Sequence, residues 1–168
     1  VKEINLKSYR VIAFSTHGLI SGDIKHLAEP ALVLTPPNKA TEADDGLLTA
    51  SEIAQLKLNA EWVILSACNT AHAESAGAEG LSGLAKAFFY AGSRALLVSH
   101  WPVESQSATE LTRGMFEALK TNPAMGRSEA LRHSMFKLAA NDNHPHWAHP
   151  AFWAPFVVVG EGGTPIYN

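Results

Sequence analysis

Cysteine is nearly absent from this sequence, since Cys68 is the single cysteine in 168 residues. A disulfide within the chain is therefore impossible, and any zinc site that needs paired cysteines is excluded. The thiol of Cys68 is either a small buried apolar group or a reactive nucleophile. Free cysteine is among the most buried residue types, so composition alone favours the first interpretation.

Long apolar runs and clusters of positive charge are also missing. No run approaches the roughly 20 apolar residues that a membrane helix requires, and no signal-peptide pattern is present. The net charge is −3 and the Lys and Arg residues are scattered, so the chain lacks the basic stripe that binds a phosphate backbone. We therefore expect a cytoplasmic protein that contacts no membrane and no nucleic acid directly.

The length of the chain fits one domain with a sizeable core. No internal repeat, low-complexity stretch or charge block divides it. The chain opens on Val1 and reaches an apolar strand-like run almost at once. We therefore expect residues 1–168 to be a single domain taken from the C-terminal part of a longer protein.

Continuous apolar runs predict the strands of a buried sheet. The clearest are residues 11–15, 61–66 and 94–99, with a weaker candidate at 31–34 and a last strand at 152–160. One helix is predicted from Leu47 onward, with Thr49 or Ser51 as its N-cap, and a second helix is predicted to end at Gly92. Two more are predicted at residues 105–120 and 127–140. Such alternation is typical of an α/β three-layer sandwich, with a mainly parallel central sheet and helices on both faces.

Three residues suited to a functional site directly follow predicted strands, namely His17, Cys68 and Trp101. The carboxyl ends of parallel strands meet at one edge of a sheet, where α/β proteins hold their sites. An imidazole beside a thiol takes up its proton and leaves a nucleophilic thiolate. Position allows His17 and Cys68 to form such a pair, although a lone histidine or cysteine at a strand end is more often structural.

A combination of four segments outweighs that general expectation. They are STHG at residues 15–18, LSACNT at 65–70, SHWPVE at 99–104 and HPAFWAPFVVVG at 149–160. In this order they resemble the CHAT domains, caspase-like peptidase domains that are commonly attached to tetratricopeptide repeats. The resemblance implies a caspase-like sheet, a Cys-His dyad, a protein or peptide substrate, a tetratricopeptide-repeat or other regulatory partner domain, and no cofactor or metal.

The resemblance also implies roles for individual residues. The histidine of the family's His-Gly motif falls on His17 as general base, and the nucleophile falls on Cys68. The backbone N–H groups of Gly18 and Cys68 would form the oxyanion hole. Ser99 and Trp101 lie in the segment that resembles the peptide-binding strand of caspase-like enzymes.

Glu104 occupies the place where the family often has an acidic residue after Trp-Pro-Val. A carboxylate in the first specificity pocket implies cleavage after Arg or Lys, through charge-assisted pairing. An equally good interpretation is that Glu104 begins the following helix, where its charge suits the helix dipole.

Other residues offer weaker alternatives. His72 is a rival base because it lies four residues after Cys68. The histidines of HPHWAH at residues 144–149 form a conceivable metal site, although a polar connection into the last strand is the simpler interpretation. The acidic residues Glu42, Asp44 and Asp45 are most simply a solvated loop.

The leading hypothesis is a cysteine endopeptidase that works through a thioester acyl-enzyme. Its main alternative is a catalytically silent caspase-like interaction module of a repeat protein, which needs neither His17 nor Cys68. A nucleotide-binding function has little support, because the sequence has neither a Gly-x-Gly-x-x-Gly turn nor a P-loop lysine motif.

Overall fold

A computed structural model describes residues 1–2, 4–25, 27–41, 44–65 and 83–163 of the chain. Within them it has seven strands: β1 (Val11–Phe14), β2 (Gly18–Leu19), β3 (Ala31–Val33), β4 (Leu47–Thr49), β5 (Trp62–Leu65), β6 (Ala95–Ser99) and β7 (Phe156–Gly160). The same residues form four α-helices: α1 (Ala50–Gln55), α2 (Gly83–Ala91), α3 (Ser105–Thr121) and α4 (Arg127–Ala139). Short 3-10 turns cover Leu6–Ser8, Pro145–Ala148 and Pro150–Phe152.

The main sheet has four strands in the order β1-β5-β6-β7. β1 pairs in parallel with β5, β5 pairs in parallel with β6, and β7 is antiparallel to β6. The predicted mainly parallel sheet is therefore confirmed. β7 begins at Phe156, later than predicted, because Pro150 and Pro155 have no N–H for a strand ladder and Pro150–Phe152 forms a turn instead.

A second sheet is antiparallel and has the order β2-β3-β4. The weak strand predicted at residues 31–34 exists as β3, but it pairs with β2 and β4 and not with the main sheet. The sequence pattern does not predict β2 or β4, since strands of two or three residues carry too little alternation to be recognised.

The helix predicted from Leu47 begins only at Ala50. Thr49 is its N-cap, with extended backbone angles, and its side chain accepts a hydrogen bond from the Glu52 N–H. The Glu52 carboxylate in turn accepts from the Thr49 N–H at 3.0 Å. This capping box selects Thr49 over Ser51 and leaves the residues before it free to form β4.

Helices cover both faces of the main sheet, as predicted. In β5, Val63 and Leu65 pack on one side in a core that includes residues of α1 and α2. Trp62 and Ile64 pack on the other side in a core that includes residues of α3 and α4. All four are at most 1% exposed, and burying each side chain of this kind contributes roughly 1.5 to 3 kcal/mol. The central strand thus joins two cores in a three-layer sandwich.

Gly92 ends α2, as the sequence predicts. Its φ is +108°, and a Cβ there would lie 2.6 Å from the carbonyl oxygen of Leu58. Both the left-handed conformation and the close approach require glycine. The turn lets the N–H of Leu58 donate to the carbonyl oxygen of Ala91 at 2.8 Å, which ties the segment before β5 to the end of α2.

A buried guanidinium joins several elements near the amino end of β5. Arg127, the first residue of α4, is 1% exposed and donates from Nη1 to the carbonyl oxygen of Glu161 at 2.7 Å. Its Nη2 lies 3.7 Å from Oε2 of Glu61, whose Oε1 accepts from Nε of Arg10 at 2.9 Å. Burial lowers the pKa of Arg127 from its ordinary value, and the Glu61 carboxylate opposes that effect. Glu61 is therefore a counter-charge that offsets part of the cost of burying Arg127.

We predict that Glu61→Gln destabilises the protein by about 2 to 3 kcal/mol, because it removes a carboxylate that faces the buried guanidinium of Arg127. The matched control is Glu117→Gln, which likewise removes a carboxylate that has two cationic partners. These partners are an arginine and a lysine, and the group lies on an exposed helix surface. That control is expected to leave the urea midpoint close to the wild-type value. Equal shifts in the two midpoints, at unchanged denaturant slope, would contradict the role given to Glu61.

Candidate active site

The carboxyl ends of β1, β5 and β6 lie side by side at one edge of the main sheet. In the parallel pairing of β1 with β5, Phe14 is opposite Leu65, and each is the last residue of its strand. His17 is three residues beyond Phe14, and Cys68 is three residues beyond Leu65. The register therefore starts the two segments from neighbouring points, about 4.8 Å apart.

His17 is held through its backbone, in the turn between β1 and β2. The N–H of Val33 donates to the His17 carbonyl oxygen at 2.8 Å, and the hydroxyl of Thr16 donates to the carbonyl oxygen of Val33. These two bonds tie the turn to β3. The side chain of His17 is exposed, and within the described residues no hydrogen bond to its ring is found.

Gly18 follows His17 directly and is the first residue of β2, opposite Leu32 of β3. Because the His17 carbonyl and Thr16 hydroxyl are both bonded to Val33, the peptide group between His17 and Gly18 belongs to an anchored turn. Anchoring of this kind is what a preorganised backbone donor needs.

A groove of about 570 Å³ opens beside His17, between the end of β1 and α3. Its lining is mixed, with the hydroxyls of serines and threonines next to apolar side chains such as Val103 and Phe116. A space of this size accommodates several side chains of a bound peptide. No carboxylate among the described residues lines it.

The segment predicted to bind substrate leaves β6 at the same edge of the sheet. Ser99 is 3% exposed, and its hydroxyl donates to the carbonyl oxygen of Trp101 at 2.6 Å. Trp101 is 42% exposed, and its indole N–H donates to the carbonyl oxygen of Ala151 at 3.3 Å. Ser99 thus shapes the turn, while Trp101 offers an aromatic surface to a ligand. Their contact with a substrate stays a prediction.

Glu104 is the N-cap residue of α3, but its side chain does not cap the helix. Its Oε2 instead accepts a hydrogen bond from Nε1 of Trp147 at 2.7 Å. Glu104 therefore stands at the start of the helix, as expected, but its carboxylate makes no capping hydrogen bond. Because Oε2 accepts from Trp147, the predicted pairing with a substrate side chain would use Oε1. Sequence analysis did not single out Trp147, because nothing in the pattern links residues 43 positions apart.

The remaining acidic candidates lie elsewhere in the fold. Oδ1 of Asp45 accepts from the N–H of Leu47 at 2.9 Å, in the turn that leads into β4. Asp45 and Glu29 line a different cavity, of about 410 Å³, on the side of the small sheet. Asp44 bonds to Thr41 within the same loop. Neither Asp44 nor Asp45 lines the groove beside His17.

The histidines of residues 144–149 are part of the turns before β7. The ring of His144 stacks on Trp147 with centroids 3.9 Å apart, and Nδ1 of His149 accepts from the N–H of Ala151 at 3.2 Å. In the described part of the chain no group of three or more potential metal ligands is found. His144 and His149 thus contact residues of their own segment, in the connection that leads into the last strand.

Several predicted residues lie outside the described ranges, so the structure does not describe their side chains. They are Cys68, with its nucleophile and oxyanion-hole roles, the rival base His72, and the acidic residue Glu42. Their roles stay predictions. Among the helices that are described, none has the length and apolar character needed to cross a membrane.

Comparison with known proteins finds a matching family model and curated relatives. The family model described as CHAT domain matches residues 1–161. Tetratricopeptide repeat protein 28 of Mus musculus is 29% identical over 114 residues, which are 68% of this chain and 4% of that protein. The protein of the same name from Homo sapiens is 28% identical over 114 residues, with the same coverage of 68% and 4%. The chain thus matches only a small fraction of these curated relatives.

The β1–β5 register generates a prediction about the reactivity of Cys68. If the His17 ring takes up the thiol proton, His17→Ala should slow alkylation of Cys68 by iodoacetamide near neutral pH by about tenfold, because the thiolate is the reacting form. Mass spectrometry of the modified protein gives the rate without ambiguity, since the chain has one cysteine.

The matched control is His133→Ala, which removes another exposed histidine, one that lies within helix α4. It should leave the alkylation rate within about twofold of wild type, because His133 does not follow a strand end at the edge from which the Cys68 segment starts. An unchanged rate in His17→Ala would refute the pairing of His17 with Cys68.

Proposed function

The chain belongs to the CHAT domain family, and from that premise we propose that it is a cysteine endopeptidase with Cys68 as nucleophile and His17 as general base. The observation that supports this most is the parallel register of β1 and β5. It gives both residues the same offset of three from strand ends that lie opposite each other. Three residues span at most about 10 to 11 Å, and this reach from neighbouring strand ends permits the two side chains to meet.

In the proposed reaction, the ring of His17 takes the proton of the Cys68 thiol, and the thiolate attacks the carbonyl carbon of the scissile peptide bond. The carbonyl oxygen becomes an oxyanion, which accepts hydrogen bonds from the backbone N–H groups of Gly18 and Cys68. One such donor typically lowers the barrier by roughly 3 to 4 kcal/mol. The anchoring of the turn at His17 to Val33 supports this role for Gly18.

The tetrahedral intermediate then collapses to a thioester on Cys68. The carbon–nitrogen bond breaks, and the protonated His17 ring gives its proton to the leaving amine. A water molecule, activated by the neutral His17 ring, attacks the thioester carbonyl. Breaking the carbon–sulfur bond releases the carboxylic acid product and restores the thiol. The exposed His17 ring beside a groove suits both proton transfers, because substrate and water can reach it.

We propose that the peptide before the scissile bond lies along the segment from Ser99 to Glu104. Trp101 is partly exposed and supplies an aromatic wall, while the turn made by Ser99 fixes the backbone. A basic side chain at the cleaved position would pair with the carboxylate of Glu104 through Oε1.

The relatives suggest the setting in which the domain works. Both are proteins named for tetratricopeptide repeats, and this chain covers only 4% of their length. We therefore propose that the domain acts in association with tetratricopeptide repeats, which would present or withhold the substrate.

A first prediction concerns the dyad. Cys68→Ala and His17→Ala should each abolish cleavage of a peptide library by the full-length chain and leave the thermal unfolding midpoint unchanged. Residues that act as one catalytic unit are not additive, so the double variant should be no worse than either single one. Product formation is measured by mass spectrometry.

The rival base and the rival function have distinct outcomes in the same assay. Activity that survives His17→Ala but is lost in His72→Ala would transfer the base to His72. Cleavage that survives Cys68→Ala would remove Cys68 as the nucleophile. No cleavage by the wild-type chain, together with a thiol as unreactive as that of a buried cysteine, would favour the catalytically silent interaction module.

A second prediction concerns specificity. The wild-type chain should prefer Arg or Lys at the cleaved position, and Glu104→Gln should reduce that preference over norleucine by about tenfold, since losing a charge-assisted bond typically costs about 1.5 to 3 kcal/mol. The readout is the ratio of kcat/KM for matched peptides. A preference that is unchanged in Glu104→Gln would remove Glu104 from the first subsite.

A further inference from the structure

The loop after β6 is joined to the turns before β7 by two indole hydrogen bonds. Nε1 of Trp147 donates to Oε2 of Glu104 at 2.7 Å, and Nε1 of Trp101 donates to the carbonyl oxygen of Ala151 at 3.3 Å. The N–H of His100 also donates to the carbonyl oxygen of Pro155 at 3.1 Å. Residues 100–104 are therefore held at three points by residues 147–155.

The Trp147–Glu104 bond is the strongest of the three on physical grounds. Trp147 is 1% exposed, so its indole N–H cannot turn to water if the acceptor is lost. Its ring stacks on His144 at 16° between planes, which fixes the direction of the N–H. A hydrogen bond to a carboxylate is stronger than one to a neutral acceptor, and a buried donor that loses its partner is destabilising.

Helix capping, the usual structural role of an acidic residue at an N-cap, does not account for the orientation of the Glu104 carboxylate. Glu104 has the N-cap position of α3, yet its side chain makes no capping hydrogen bond. The cap region is instead closed by its main chain, whose carbonyl oxygen accepts from the Ser107 hydroxyl at 3.0 Å. The carboxylate turns away from the helix and across to the neighbouring turn.

We propose that Glu104 and Trp147 are positioning residues of the substrate cleft: their hydrogen bond latches the loop that carries Trp101 in the conformation that receives the peptide. This inference rests on the proposed peptidase function. It adds Trp147 to the site and gives Glu104 a second role, as a hydrogen-bond acceptor, beside its proposed charge pairing with a basic substrate residue.

The two roles of Glu104 respond differently to substitution. Gln at position 104 keeps an oxygen that accepts the Trp147 N–H but loses the negative charge. Met has a similar length and lacks both. Trp147→Phe keeps the charge of Glu104 and removes the indole N–H donor and part of the ring. The pair of variants Glu104→Gln and Glu104→Met therefore separates the latch from the charge.

The kinetic experiment uses the full-length chain and a peptide with norleucine at the cleaved position, on which the charge of Glu104 has no effect. Glu104→Met and Trp147→Phe should each raise KM about tenfold with kcat within about twofold of wild type, since the latch acts on binding and not on the dyad. Glu104→Gln should have the same KM as the wild type. The double variant Glu104→Met with Trp147→Phe should be no worse than either single one.

The matched control is Trp153→Phe, the same substitution in the same connection before β7. The indole nitrogen of Trp153 is buried and has no hydrogen-bond partner in the described structure. This variant should leave KM within about twofold of wild type, because it removes ring volume without removing a hydrogen bond.

A second readout does not depend on peptidase activity. Hydrogen exchange measured by mass spectrometry should show residues 100–104 exchanging several-fold faster in Glu104→Met than in Glu104→Gln, while α2 exchanges at the same rate in both. This result with no cleavage by the wild-type chain would support the latch and overturn the proposed function. Equal exchange of residues 100–104 in the two variants, or a KM that is unaffected by Glu104→Met, would overturn the latch.

Discussion

The parallel pairing of β1 with β5 is the interaction on which the rest of the candidate site depends. It aligns Phe14 with Leu65, and His17 and Cys68 each follow one of these paired residues by three positions. A slip of one residue would turn the strand's side chains to the opposite face and move Phe14 out of its core. Burial of that core therefore enforces the register, and the register aligns the two strand ends that precede the proposed base and nucleophile.

The neighbouring elements each fix a different part of the β1–β5 pair. β5 is fully buried because α1 and α2 cover one face and α3 and α4 cover the other. Near its amino end, the ion pair of Glu61 with Arg127 links β5 to α4. At the carboxyl end of β1, the bonds of Val33 with the turn at His17 tie the edge to the small sheet. The substrate loop is fixed separately, by Trp147 and Ala151. The core thus sets the positions, and polar contacts at the edge set the orientations.

The parts of this arrangement that sequence predicts are those with a strong local signal. Apolar runs are sufficient to identify β1, β5 and β6, and helical spacing locates α3 and α4 to within one residue at their ends. Gly92 is recognisable because a left-handed helix end favours glycine. In contrast, β2 and β4 are too short to have a period, and the bond between Glu104 and Trp147 joins residues far apart in sequence. Such contacts arise from tertiary packing, which no local pattern encodes.

The most direct test of the account is a crystal structure of the full-length chain after reaction with a peptidyl ketone that alkylates cysteine nucleophiles. The account predicts a covalent bond from the inhibitor to Sγ of Cys68, with the peptide along residues 99–104 and a ring nitrogen of His17 within roughly 3 to 7 Å of Sγ. A His17 ring more than about 12 Å from Sγ, or on the opposite face of the sheet, would contradict the proposed dyad.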